Sequence, residues 1–451
     1  MSKVDEQDLH RLVKQALDSG AAATVAEAEA RFRGYRLAVT IGADEARQLP
    51  HQIALLTAVA LGRRVFHGGV QIAGPLGVPL MAPLPLGATL ADAVVALGGA
   101  PLIGPHDERP TIAIDDKPLP PAAEFHVRTA FAGWRGGVLP ADAAPIPERP
   151  VMALAPMLSA ALAVNEAFAR VADRNAAAGR RRVGLSLWDL TSDWLAPDGA
   201  PELELVPSRL WILGLGHLGQ AYLWALGVLP VPADGGLELV LQDTDVISRS
   251  TESTSILTDA SMVGTRKTRA MTAWAERRGF RTAIYERAFD TNFRRQSAEP
   301  AIALCGIDNA IGRQALDDAG FSLVVEAGLG RGHRDFRTMR LHSLPASRRS
   351  AEMWTIAPTG EDVTTRPAYQ RLLADGALDR CGVTLLAGKA VGAPFVGAVA
   401  ATLVISQVLR LLHGAPLDGL VDLDLQSVEH RLVVAQPRDF SSLNPGYLRV
   451  R

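Results

Sequence analysis

Cysteine is almost missing from this chain: two residues in 451, Cys305 and Cys381. Two thiols cannot form a disulfide framework, which fits a reducing compartment. No CxxC pair occurs, so a structural zinc of the CxxC…CxxC kind is excluded. An excess of one charge is missing too. Lys and Arg number 46 against 48 Asp and Glu, and the densest basic run, Arg180-Arg181-Arg182, reads as a solvated helix end. A nucleic-acid partner is not expected, because neutralising phosphates takes a clustered basic face. There is no stretch of about 18 uninterrupted apolar residues of the kind that crosses a membrane. Residues 1–19 are charged and polar, without the apolar region of a signal peptide. The expected location is the cytoplasm, away from any membrane.

What is present is apolar bulk in a repeating order. Hydrophobic residues make up 48% of the chain, ample for large cores, and the length suits two to three domains of about 150 residues. Turn formers Pro197, Gly199 and Pro201 mark 191–207 as a surface connection, dividing the chain near residue 200. Beyond it, strands over 209–213, 237–241, 282–285, 301–305 and 322–325 alternate with helices over 220–227, 265–278 and around 313–319. That order predicts an α/β fold, a Rossmann-like doubly wound, mostly parallel sheet. Residues 344–380, with few periodic apolar positions, read as a long crossing segment. An apolar helix follows over 394–412, and stretches 421–425 and 430–434 suggest a C-terminal hairpin.

The first half reads as an echo of the second, with a strand over 37–42, a helix over 48–61 and a strand over 65–72. Residues 155–162 resemble 393–400. Ala43-Asp44-Glu45-Ala46 stands where glycines would bind a phosphate. Two related halves are expected, 1–200 degraded and 201–451 nucleotide-binding.

Gly214-Leu215-Gly216-His217-Leu218-Gly219 follows a strand and opens a helix. Such glycines let backbone N–H groups approach a phosphate at a helix N-terminus; an ordinary tight strand-to-helix turn has the same appearance. Asp243 and Asp245 stand where an acidic residue would hold a ribose. To this point an NAD dehydrogenase fits equally well. The segments that follow separate the two. Asp243-Thr244-Asp245-Val246-Ile247-Ser248-Arg249-Ser250, Gly264-Thr265-Arg266-Lys267, Ile307-Asp308-Asn309 with Arg313, and Gly392-Ala393-Pro394-Phe395-Val396-Gly397 come in that order. They resemble the DxDxVxxSN, GxxK, TDN…R and final-helix motifs of ubiquitin-activating, ThiF/MoeB-like adenylyltransferases. The resemblance spans residues 209 to about 412.

It implies ATP and Mg²⁺. The loop Gly214, Gly216, His217, Gly219 would contact ATP phosphates, Asp243 and Asp245 would serve the ribose end, and Lys267 would neutralise phosphate charge. Asp308 would hold Mg²⁺, or cap the next helix, or both. Arg313 fits either a phosphate or a neighbouring carboxylate. Two departures stand out: Thr251 replaces the family's amide and Thr254 its arginine. In relatives an arginine from the partner protomer or pseudo-domain reaches the ATP, and Arg31 and Arg33 are candidates here, though they also read as solvated helix residues. Cys305 reads as a small buried hydrophobe. Cys381 follows Arg380, a cation that favours thiolate. In the resembling enzymes the thioester cysteine lies in or beside this crossover; a structural cysteine without chemistry is the other reading.

The activity so implied is adenylation of the C-terminal carboxylate of a small ubiquitin-like protein. Thioester formation and transfer to a conjugating enzyme would follow. The first half would be the inactive partner domain of a monomeric pseudo-dimer, or the chain would form a homodimer. Some bacterial versions belong to antiviral defence operons. A sulfur-carrier-protein adenylyltransferase would share the chemistry, although most carry a zinc CxxC pair. A non-catalytic or NAD-binding Rossmann protein is the remaining alternative, against which the Lys267 and Asp308 motifs argue.

Overall fold

The structure is a computed structural model and describes residues 9–102, 109–118, 125–147, 149–197, 199–232, 236–354 and 362–450. Residues 1–8 of the polar N-terminal stretch and 355–361 of the expected crossing segment therefore lie outside the described residues.

The first sheet contains β1 (Leu37–Ile41), β2 (Val70–Ala73), β3 (Ala100–Pro101), β4 (Thr111–Ile114), β5 (His126–Ala132), β6 (Arg135–Pro140) and β7 (Val183–Ser186). Its order is β3-β2-β1-β4-β5-β6-β7, parallel as far as β5 and antiparallel from there to β7. After a short strand β8 (Leu205–Pro207), the second sheet contains β9 (Arg209–Leu213), β10 (Glu238–Gln242), β11 (Arg281–Tyr285), β12 (Ile302–Cys305), β13 (Leu323–Leu329), β14 (Thr338–Leu344), β15 (Asp418–Asp424) and β16 (Leu432–Ala435). Its order is β11-β10-β9-β12-β13-β14-β15-β16. Strand for strand this is the first order again, with the same switch to antiparallel pairing after the fifth strand. One extra edge strand, β16, closes the expected hairpin. The two halves expected from helices of like composition thus share one strand order.

The helices repeat as well. Helix Leu49–Gly62 joins β1 to β2 as helix His217–Val228 joins β9 to β10, and helix Leu154–Ala172 precedes β7 as helix Pro394–Leu412 precedes β15. These four pack together between the sheets. Small residues (Ala160, Ala161 and Ala163 on one, Gly397, Ala398, Ala400 and Ala401 on the other) let backbones approach, so almost every side chain on both long helices is buried. Trp224 Nε1 donates to Thr57 Oγ1 at 3.1 Å, Asn165 Nδ2 donates to the Leu425 carbonyl at 3.0 Å, and the Phe168 and Phe395 rings lie 5.8 Å apart across the seam. By length and composition Pro394–Leu412 could cross a membrane, but here it is a core helix with 89% of its apolar window buried.

Some expectations needed correction. The strand expected over 65–72 starts at Val70, because Phe66 still hydrogen-bonds Gly62 and the chain turns at Gly69, whose φ is +108°. The surface connection over 191–207 ends in β8, which pairs with a last strand β17 (Tyr447–Arg449) that was not anticipated. The crossing segment is partly helical: Pro367 opens helix Pro367–Ala374, whose Ala368, Tyr369 and Leu372 are buried on one face. Helix Arg380–Gly388 follows it.

Candidate active site

Parallel strands deliver their loops to one edge, and in open α/β sheets that edge is where ligands sit. Here the loops after β9, β10, β12 and β13 enclose a cavity of about 510 Å³, within the range of small-molecule sites. Gly214, Gly216, His217, Asp243, Asp245, Lys267, Asp308 and Arg313 all line it. Gly219 and Cys381 do not.

The glycine turn has a steric explanation. Gly214 adopts φ +83°, which side-chain-bearing residues rarely tolerate. Gly219 comes so close beneath it that a Cβ there would lie 1.9 Å from the Gly214 carbonyl oxygen. The turn is further fixed by Asp243, whose Oδ2 accepts from the Leu215 N–H at 2.6 Å and whose Oδ1 accepts from the Asp245 N–H at 2.7 Å. Asp243 thus braces the loop, while Asp245, with its side chain 65% exposed, points into the opening. The GxxK segment folds back against this loop: the Ile247 N–H donates to Thr265 and the Lys267 N–H to the Asp245 carbonyl. Lys267 Nζ is thereby placed 2.7 Å from Asp245 Oδ2, and 3.9 Å from where a Cβ on Gly216 would stand. At 12% exposure it is a cavity-wall lysine and not a solvated one.

Asn309, not Asp308, caps the next helix: its Oδ1 accepts from the Gly312 N–H at 2.7 Å. Asp308 is exposed on the cavity wall. Among the described residues no group of three or more His, Cys, Asp or Glu could hold a metal ion. Arg313 takes the carboxylate pairing, with Nε 3.0 Å from the buried Glu326 and hydrogen bonds to the Ile307 and Ala327 carbonyls. His217 packs under the last helix, where a Cβ on Gly397 would lie 2.3 Å from its Nε2. Burial holds its imidazole down at about 4, so it is neutral at pH 7.

Arg31 and Arg33 do not reach the cavity. Arg31 donates to Tyr35 and to the Ala172 carbonyl, and Arg33 faces Glu29 on the surface. Sequence reasoning missed Arg11 instead, which enters from the N-terminal segment and lines the cavity. Burial lowers the pKa of its guanidinium, partly opposed by the nearby Asp308 carboxylate. No local motif marks it. Arg331 lines the cavity beside it. The first half also supports the site from behind. Arg64, buried, donates to the Glu252 and Thr258 carbonyls at 2.9 and 2.7 Å, and Arg63 pairs with Glu252. They fix the segment carrying Thr251 and Thr254. Thr251 Oγ1 is occupied locally, accepting from the Ser248 N–H.

A second cavity of about 560 Å³ shares Arg313, Leu329 and Gly330 with the first and runs over β14 and β15 past His342 and Trp354. Cys305 is buried, and burial together with the Glu326 carboxylate pushes its thiol up to about 12, so it is inert. Cys381 is exposed in the first turn of helix Arg380–Gly388, where Asp379 caps the Gly382 N–H.

Of the two copies of one Rossmann-like plan, one carries the cavity and the other buttresses it, and sequence similarity places the chain with the bacterial E1-like proteins. A family model described as the BilD C-terminal domain matches residues 206–415, and one described as the BilD N-terminal domain matches residues 36–187. The bacterial E1-like protein BilD of Collimonas sp. (strain OK412) is 42% identical over 415 residues, covering 91% of this chain and 90% of that protein. The chain belongs to the BilD family. Among solved structures, E. coli MccB matches at 14% identity with a TM-score of 0.35, over 51% of this chain and 63% of that one. PaaA matches at 14% with a TM-score of 0.34, over 51% and 64%. This chain thus spans less than two thirds of either of those two.

Proposed function

We propose that this protein uses ATP to adenylate the C-terminal carboxylate of a small ubiquitin-like protein in the cytoplasm. The observation that carries the reading is the single cavity in which the glycine turn, Lys267 and Asp308 meet Arg11 from the other half. The glycine-turn amides and Lys267 are suited to hold the triphosphate, and Asp245 to take the ribose hydroxyls once Lys267 turns to phosphate. Mg²⁺ at Asp308 would supply neutralisation of the departing pyrophosphate. The second cavity offers an extended tail a route past Leu329 and Gly330 to the α-phosphate. A carboxylate oxygen attacks the α-phosphorus, the bond to the β-phosphate oxygen breaks, and acyl-adenylate and pyrophosphate result. The chain contributes mainly by positioning and by charge stabilisation.

Cys381 is the proposed acceptor in a second step: its thiolate attacks the acyl carbon, AMP leaves, and a conjugating enzyme takes the thioester. Because Cys381 lines neither cavity, this step requires helix Arg380–Gly388 to move. Pyrophosphate exchange with a candidate small protein is the direct test. Exchange that depends on that protein's C-terminal residue supports adenylation, and no exchange with any such partner would leave a non-catalytic scaffold. Cys381→Ala is expected to keep exchange and lose a reducible adduct; an unchanged adduct would overturn the assignment of Cys381.

A further inference from the structure

The nucleotide cavity and the Cys381 helix are built from different elements, yet both touch one short segment near the N-terminus. Arg11, whose side chain lines the cavity, donates from Nη1 to the Ala390 carbonyl at 3.3 Å. One turn later Lys14 Nζ donates at 3.2 Å to the Ala387 carbonyl, in the last turn of helix Arg380–Gly388. A cation at that end also matches the helix dipole. Lys14 pairs with Asp18, and the other oxygen of Asp18 accepts from the Tyr369 hydroxyl on helix Pro367–Ala374. These three residues are 2%, 3% and 0% exposed, and Lys14 Nζ lies 5.9 Å from the Tyr369 ring centroid.

A buried ion pair closed by a phenol is poor value as a stability device, since apolar residues of similar volume commonly do as well. What such a cluster does offer is direction: each hydrogen bond fixes one partner against another. Here the partners are the segment that delivers Arg11 and the two helices that lead up to and carry Cys381. We infer that Lys14, Asp18 and Tyr369 are positioning residues that hold Arg11 in the nucleotide cavity and fasten the Cys381 helix to the same segment, coupling nucleotide binding to the accessibility of Cys381. The inference rests on the nucleotide reading of the cavity.

Cys305 is buried and Cys381 exposed, so iodoacetamide reports on Cys381 in the full chain, and MgATP affinity reports on Arg11. In the unaltered protein, saturating MgATP is expected to slow alkylation of Cys381 several-fold. Tyr369→Phe should weaken MgATP binding by about tenfold, a hydrogen bond to a charged group being lost, and abolish the effect of MgATP on alkylation. In an Arg11→Ala background the same change should leave MgATP affinity unmoved, because a residue acting through Arg11 has nothing left to position. A merely structural role would instead add its cost in both backgrounds. The paired apolar replacement Lys14→Met with Asp18→Leu serves if Tyr369→Phe does not fold, and is expected to lose the alkylation response in the same way. Equal MgATP affinity for the unaltered and Tyr369→Phe proteins, or additive effects in the cycle, would overturn the inference while leaving the nucleotide site standing. Failure of the unaltered protein to bind MgATP would overturn the nucleotide reading itself, and this inference with it.

Discussion

After β9 the backbone turns through Gly214 beside a cavity and runs into helix His217–Val228; after β1, in the same place of the same topology, it enters the short 3₁₀ helix Glu45–Arg47. The buried Glu45 carboxylate reaches so far back that a Cβ on Gly42 would lie 2.0 Å from its Oε2 and 3.4 Å from Asp115 Oδ2. Two carboxylates in that space repel a phosphate that amides would attract. The rest of the first half is intact. Its β1 is buried along nearly its whole length, as a central parallel strand should be, and its helices pack against those of the second half. Topology resides in many buried positions, each tolerant of a similar apolar residue, whereas a phosphate site resides in a few turn residues. One can change while the other stays, and the first half still supplies Arg64 behind the second half's cavity and leads in with Arg11.

The contrast can be broken by experiment. The largest effect is expected for Lys267→Ala: a fall of about 10²–10³-fold in pyrophosphate exchange, the scale of losing one preorganised charge-stabilising group, with little change in melting temperature. Near-normal exchange would mean that the second turn is no more a nucleotide site than the first. Arg11→Ala should cost about 10–100-fold, while Arg33→Ala, on the surface facing Glu29, should leave exchange unchanged. If the two variants behave alike, the N-terminal segment does not serve the second half's cavity.

The paired glycines test the turns directly. In Gly219→Ala the new Cβ meets backbone at Gly214, so a cost of about 1–3 kcal/mol in urea unfolding is expected, with loss of ATP binding. In Gly42→Ala it meets the end of a flexible carboxylate, which can swing aside for less than about 1 kcal/mol. Equal costs would show that the first turn is held as tightly as the second.

The smallest effect concerns pH. His10 and His67 pack with their Nε2 atoms 3.3 Å apart, and burial holds both below the ordinary histidine value. The docked segment therefore favours neutral rings, and a detached one takes up protons first. Docking should be fully favourable above about pH 6.5 and weaken as pH falls through that value. Hydrogen exchange over residues 12–18, corrected for intrinsic rates, should be faster at pH 5.5 than at 7.5; identical protection would remove the histidines from the account.

The linear motifs led straight to Gly214, Lys267, Asp245 and Asp308, because each motif answers a local demand: a positive φ, a fold-back hairpin, a loop at a strand end. They were silent on how carboxylates and cations pair. Asp243 uses its oxygens on backbone amides and Arg313 its guanidinium on Glu326 and two carbonyls, partnerships set by how neighbouring strand ends and loops meet. Arg31 looked available for the cavity, yet the packing of Ala28 and Phe32 turns its helix so that Arg31 is used on Ala172.

By itself, then, the sequence determined the alternation of strand and helix, the position of the glycine turn and the inertness expected of Cys305, since apolar periodicity, glycine freedom and burial in an apolar strand are local properties. The tertiary structure decided that the halves share one strand order, that Arg11 enters the cavity, and that Cys381 rides a capped helix outside it. Those outcomes depend on which surfaces meet across residues hundreds of positions apart, and no local energy term encodes such a meeting.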